Sequence, residues 1–214
     1  SDGTPLGDIV VQLFEDRAPL ATERFITLAT DVDAQGNLIP AGGGVDPWYT
    51  DVVVHRVIDG FMFQSGDAAN GDGTGETPLG VFPTETHDDL SFMGRGLLAT
   101  ANRGGDTNDG QWFITDGITT WLDGNHTIFG QVVSGWDVYE TIITRPTGDN
   151  DRPLDPPLLA GVDIVDSPAD ATVTFVADET FTGPVDLTIT LSDTEGNDVW
   201  QTVTLLPEPV LQDM

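Results

Sequence analysis

The sequence contains no cysteine, so disulfides, thiolate metal sites and a cysteine nucleophile are all excluded. The absence says nothing of compartment. Lysine is also missing: 28 Asp and 8 Glu stand against 7 Arg, for a net charge of −29. Such a surface repels nucleic acid and anionic membranes, which makes both poor partners. The acidity has two readings, solubility in saline surroundings or Ca²⁺ binding. The scatter of carboxylates along the whole chain favours the first for most of the charge. No apolar run approaches the length that spans a bilayer, so no membrane insertion is expected. No basic, apolar leader opens the sequence, and any signal peptide is taken to lie outside it. With 3 His in separate motifs and no Cys, a zinc site is not expected. A Ser-His-Asp triad drawn from Ser65 and His126 has no nucleophile-elbow sequence behind it.

What is present suffices for a core: 38% hydrophobic residues, with 10 Phe and 5 Trp in 214 residues. That length suits one large domain, or one with a smaller companion. Leu6–Phe14 alternates as a first strand, and Leu20–Thr30 reads as a helix with Ala21, Phe25, Leu28 and Ala29 at helical spacing. A loop rich in Gly and Asp spans Asp31–Pro47. Its Asp31–Asn37 portion faintly echoes a calcium loop but lacks the closing Glu. The organising stretch is His55–Asp67. Val52–Val54, Val57 and Ile58 flank Arg56 as strand, and Asp59-Gly60 reads as a turn. On the second strand, alternation puts Phe61 and Phe63 on one face and Met62 and Gln64 on the other. Taken alone, this pattern favours a buried hairpin whose Arg caps a sheet edge. The Gly-rich coil over 66–80 lacks the Lys of a phosphate-binding loop and precedes no clear helix. Further strands are expected at Leu97–Ala101, Trp112–Ile114, Thr127–Val133 and Leu158–Val165, and a second helix at Trp136–Thr144. Beyond Pro168 come three alternating runs: Thr172–Val176, Val185–Leu191 and Val199–Leu205. Many short strands with two separated helices imply a closed or nearly closed sheet with helices over its open ends.

Several spaced motifs then converge. Tyr49 precedes His55-Arg56 and Gly60-Phe61-Met62-Phe63-Gln64-Ser65-Gly66-Asp67. Gly71–Gly75 follows. Then come Leu98-Ala99-Thr100-Ala101-Asn102, Asn108-Asp109-Gly110-Gln111-Trp112-Phe113-Ile114, and the run from Trp121-Leu122-Asp123-Gly124-Asn125-His126 to Gly130. In order and spacing these resemble the cyclophilin-type peptidyl-prolyl cis–trans isomerases over residues 6 to about 166. The resemblance implies a mainly β fold, a closed eight-stranded antiparallel barrel capped by two helices. The expected division is an isomerase domain over 1–166 and a small β-rich module over 167–214. The turns Phe181–Gly183 and Leu191–Asn197 make that module similar to bacterial Ig-like or cadherin-like units.

The family pattern implies a groove with Arg56, Gln64 and Asn102 as its catalytic residues. Phe61, Met62, Ala101, Gln111, Phe113, Trp121, Leu122 and His126 would bind substrate. Taken singly, Phe61 and Phe113 read as core, His126 as a turn residue, Trp121 as a barrel plug and Gln111 as a buried network member. Val54, Phe63, Ser65, Thr100 and Trp112 depart from the family's usual choices beside the groove. The implied activity needs no metal or other cofactor, because no bond breaks. The implied partners are proline-containing peptides or unfolded proteins, and cyclosporin-type inhibitors. The alternative is a module that binds proline peptides with little turnover within a larger extracellular or surface assembly. The β tail and the acidity point to an extracytoplasmic setting.

Overall fold

Alternation over Val10–Leu13 makes strand β1, whose side chains turn in and out of the sheet as the period of two requires. The computed structural model describes residues 5–32 and 47–165, and the backbone of two strands further on. Helix α1 follows at Pro19–Thr30, with proline at its first position, where a missing N–H is harmless. Ala18 offers no side-chain cap. Glu85 supplies one from a distant loop, its two carboxylate oxygens accepting from the amides of Leu20 at 3.0 Å and Ala21 at 2.9 Å. Phe25, Leu28 and Ala29 on the buried face of α1 are the residues its spacing predicted.

The strands β2 (Val52–Val53), β3 (Arg56–Ile58), β4 (Met62–Ser65), β5 (Arg95–Thr100), β6 (Trp112–Asp116) and β7 (Ile128–Ser134) come next. Helix α2 (Trp136–Ile143) and strand β8 (Leu158–Leu159) complete the first part of the chain. Gly135 begins α2 with φ +82°, and a Cβ there would lie 2.1 Å from the Asp8 carbonyl oxygen, so only glycine fits.

The closed eight-stranded barrel is not what forms. Six strands make one antiparallel sheet in the order β1-β7-β5-β6-β4-β3, whose ladder ends at β1 and β3. Strands β2 and β8 form a separate pair, Val52 opposite Leu159 and Val53 opposite Leu158. The split occurs at Val54-His55. The Val54 amide donates to the Pro157 carbonyl at 2.9 Å, while the His55 amide donates to Gln64 at 3.1 Å. Pro156 and Pro157 have no N–H with which to extend β8. The strand expected over Leu158–Val165 is only two residues long, Leu158–Leu159.

The two sheet faces carry two clusters. Phe25, Leu28, Tyr49, Phe63, Trp112, Ile114, Phe129 and Tyr139 belong to the cluster that includes both helices. Met62, Phe92, Ala99, Phe113 and Ile128 form the other.

The chain divides into two compact units, Ser1–Asp166 and Ser167–Met214. In the second, β9 (Val185–Ser192) and β10 (Asp198–Leu205) pair antiparallel, from Val185 opposite Leu205 to Ser192 opposite Asp198. The run Thr172–Val176, the turns Phe181–Gly183 and Asp193–Asn197, and the calcium-like residues Asp33–Asn37 lie outside the described residues. Among the described residues no helix is long and apolar enough to cross a membrane.

The cap contributed by Glu85 has a measurable consequence. Glu85→Ala is expected to lower stability by about 1 kcal/mol, or Tm by roughly 2–4 °C, because two amides at the positive end of α1 lose a charged acceptor. An unchanged thermal unfolding curve would show that the cap contributes nothing.

Candidate active site

The β3–β4 hairpin places Arg56 directly opposite Gln64 and Ile58 opposite Met62. Its turn closes with the Phe61 amide on the Ile58 carbonyl at 3.0 Å, and Gly60 sits at φ +75°. On its other edge β4 pairs with β6, which sets Gln64 opposite Phe113. Directly opposed residues share a face, so Arg56, Gln64, Phe113 and Met62 project from one side of the sheet. Phe61 departs from the expected alternation. It lies in the turn, ahead of the strand, and packs with the cluster of Met62 and not with Phe63.

Met62 and Phe113 are buried and form an apolar floor, backed by Phe92 stacked on Phe113 at 6.0 Å between ring centres. Phe61, Ala101 and Leu122 are half-buried around it. Trp121 and Leu122 stand on a 3-10 turn, Thr120–Leu122. The Trp121 ring is 65% exposed and lies 5.8 Å from that of Phe61. His126 meets Phe113 edge-on, 5.4 Å away at 86°, with its Nδ1 held 2.9 Å from the Thr100 carbonyl oxygen.

Polar groups form a second wall. The Gln64 side-chain amide donates to Gln111 Oε1 at 3.0 Å, and Gln111 donates to the carbonyls of Gly73 and Gly75, both at 3.0 Å. That glycine loop is wrapped around the carboxylate of Asp67, which is 1% exposed. Its oxygens accept from the amides of Asn70 (2.9 Å), Asp72 (3.2 Å), Gly73 (2.8 Å) and Gly75 (3.0 Å). A Cβ on Gly75 would lie 2.0 Å from Asp67 Oδ1. Amides of the kind that cradle a phosphate thus already surround an internal anion. Burial works to raise the Asp67 pKa, but the four amides outweigh it and hold the carboxyl below its ordinary range. Next to the loop, His55 is buried with neither ring nitrogen hydrogen-bonded. Burial lowers its pKa, although the charge of Asp67 opposes the shift.

Two of the expected catalytic side chains, Gln64 and Asn102, are engaged within the protein. The Gln64 amide donates to Gln111, while Arg56 Nε meets Asp151 Oδ2 at 3.3 Å. The side-chain nitrogen of Asn102 donates to the Asn125 carbonyl (2.7 Å) and Asn108 Oδ1 (3.1 Å), and its oxygen accepts from Gly104 (3.1 Å). That side chain therefore ties the 121–126 turn to the end of β5. Ala101 is bound to the neighbouring wall through its amide, on the Gln111 carbonyl at 2.9 Å. Sequence reasoning missed Asp151. Its only signal was the Asp-Asn-Asp-Arg run in a proline-broken segment, far in sequence from Arg56.

A family model described as cyclophilin type peptidyl-prolyl cis-trans isomerase matches residues 2–164. The chain belongs to this family. A peptidyl-prolyl cis-trans isomerase of Schizosaccharomyces pombe is 40% identical over 155 residues, covering 72% of this chain and 90% of the relative. Peptidyl-prolyl cis-trans isomerase A of Mycobacterium tuberculosis is 41% identical over 164 residues, covering 75% and 88%. Among solved structures, a cyclophilin type isomerase of Cryptosporidium parvum superposes with a TM-score of 0.65 at 29% identity, over 76% of this chain and 94% of that one. The same Cryptosporidium protein, crystallised in the presence of the dipeptide Ala-Pro, gives 0.64 at 28% identity, over 76% and 95%. The cyclophilin assignment thus rests on the same part of the chain that carries the six-stranded sheet.

The two shifted groups beside the groove predict acid lability of this cyclophilin. An unfolded His takes up its proton near pH 6.5, above the lowered folded value, so stability falls as pH drops below about 6.5. Asp67 contributes stability above about pH 3.9 that is lost as pH falls through its depressed folded value. In Tm measured against pH, His55→Gln should remove the first decline and Asp67→Asn the second. A wild-type Tm that stays flat from pH 7 to 5 would refute the part assigned to His55.

Proposed function

We propose that this chain accelerates rotation about Xaa-Pro peptide bonds by binding the twisted amide more tightly than either planar isomer, and so assists protein folding. The observation that carries the reading is the placement of Arg56 and Gln64 on the same sheet face as the apolar floor of Met62 and Phe113. Amide resonance sets a rotation barrier of about 18–20 kcal/mol. The two isomers differ by only about 1 kcal/mol, so the task is kinetic. As the bond twists, the proline nitrogen leaves conjugation and its lone pair becomes an acceptor. A guanidinium beside it then gains a hydrogen bond that the planar forms cannot offer. Arg suits this role because it stays charged and its donors are rigid.

In this reading Phe61, Met62, Phe113 and Leu122 receive the pyrrolidine ring, and Met62 adapts to its pucker. Gln64 presents the remaining N–H of its side-chain amide to a peptide carbonyl, and Gln111, whose own amide hydrogens are held by Gly73 and Gly75, steadies it. The side chain of Asn102 is engaged within the protein, so its main chain and that of Ala101 are the parts that align a peptide. Trp121 and His126 bound the rim, and the exposed Trp121 ring offers a surface to cyclosporin-type inhibitors. We also infer an extracytoplasmic setting and an Ig-like tail. The scattered acidic residues support the setting, and the paired strands β9 and β10 are compatible with such a module.

Turnover of a short Ala-Pro peptide tests the reading. Arg56→Ala should lose about 100-fold in kcat/KM. It should still fold, because a partly exposed ion pair is worth no more than about 1 kcal/mol. Near-normal turnover of that variant would sink the catalytic assignment. Wild-type protein that folds but does not turn the peptide over would leave a proline-peptide binding module. Cyclosporin should suppress wild-type turnover, and full activity in its presence would refute the inhibitor contact at the rim.

A further inference from the structure

We propose that Asp151 is a positioning residue for the reaction, its carboxylate holding Nε of Arg56 so that the two terminal nitrogens of the guanidinium remain for the substrate. This rests on the reading of Arg56 as the catalytic cation. Among the described residues, the contact with Asp151 at 3.3 Å is the one hydrogen bond or ion pair that the Arg56 side chain makes. Arg56 stands on β3, at the edge of the sheet, where a long side chain without a second anchor would sample many rotamers.

The backbone that delivers Asp151 is unusual. The 3-10 turn Asp149–Asp151 contains two successive non-glycine residues in the left-handed region, Asn150 at φ +59° and Asp151 at φ +58°. Asn and Asp enter this region more readily than other side chains, and two in succession make a tight, specific turn. Here the turn is braced from several directions. The Gly148 amide donates to the Arg152 carbonyl at 2.8 Å, and the Leu154 amide to that of Pro146 at 2.9 Å. The Arg152 side chain donates to the Gly71 carbonyl at 2.7 Å, fastening the turn to the glycine loop that Asp67 and Gln111 also hold. The Arg56–Asp151 pair is too exposed, at 40% and 46% of its side chains, to stabilise the fold appreciably. What the braced turn preserves is therefore the geometry of the contact. Ordering the guanidinium before the peptide arrives removes that ordering cost from the reaction.

Asp151→Gly separates this role from a structural one. Glycine adopts φ near +58° without strain, so the variant should unfold at the same temperature as wild type or higher. Its kcat should nevertheless fall about tenfold with KM within twofold, because only transition-state binding suffers. Asp151→Asn, which tolerates the left-handed region and keeps an acceptor oxygen, should restore most of kcat. In an Arg56→Lys background Asp151→Gly should have less than a twofold further effect. A kcat for Asp151→Gly within twofold of wild type would overturn the proposal, as would a full additional loss in the Arg56→Lys background. If Arg56→Ala itself kept normal turnover, the catalytic reading of Arg56 would fail first. If Arg56→Ala were inactive and Asp151→Gly normal, only the positioning role would fail.

Discussion

Strand β4 is paired on both edges, with β3 through Arg56–Gln64 and with β6 through Gln64–Phe113, and most of the groove follows from that double ladder. Its alternation sends Met62 and Gln64 to the groove and Phe63 to the helix-side core. Ser65 is turned from the groove as well, its hydroxyl donating to the Val53 carbonyl at 3.0 Å. A slip of one residue in register would exchange the two sets, burying an amide and exposing a phenyl ring. From Gln64 the hydrogen bonds run on through Gln111 to the glycine loop and from there to the buried carboxylate of Asp67. The polar wall is thus one connected network built on a single strand position.

Charge imposes a second constraint. With 36 acidic residues and 7 arginines, every cation has anions within reach. Six arginines form ion pairs: Arg17 with Asp89, Arg24 with Asp109, Arg56 with Asp151, Arg95 with Glu140, Arg103 with Glu76 and Arg145 with Asp155. The seventh, Arg152, donates to a backbone carbonyl. Pairing therefore does not distinguish Arg56 from the rest. Its neighbours do, because Arg56 alone combines a partly exposed guanidinium with a strand position opposite Gln64, beside a buried aromatic floor. Arg24, by contrast, lies over the ring of Phe82, where its contacts with Gly80 and Asp109 bind helix α1 to the loop after Gly75.

Mutual support between the loops gives the groove its rigidity. The turn at 121–126 is tied by Asn102 and His126 to the end of β5, the glycine loop by Asp67 and Gln111, and the turn at 149–151 by Arg152 to that same loop. Each tie is a side chain bonded to backbone, which leaves little freedom to either party. Three irregular segments thereby become fixed walls around a regular floor.

Both helices were legible in the order of residues, because the apolar positions that α1 buries recur every three to four residues. Strand β1 was legible by its alternation, and β5 to β7 as short apolar runs between polar loops, on the same local ground. The groove residues were legible through the spacing of several short motifs, each carried by a few adjacent residues. Closure of the sheet was not, since it depends on whether Val54 turns to Pro157 or continues the ladder, a choice between partners about a hundred residues apart. Nor was the side on which Phe61 lies, because the alternation begins only where the turn ends. The partners Glu85 for α1 and Asp151 for Arg56 stand 65 and 95 residues away in the chain. Periodicity and turn chemistry act over a few residues and can be read from their order alone. A carboxylate in a loop has no period, and its partner is decided only when the packed sheet brings the two ends together.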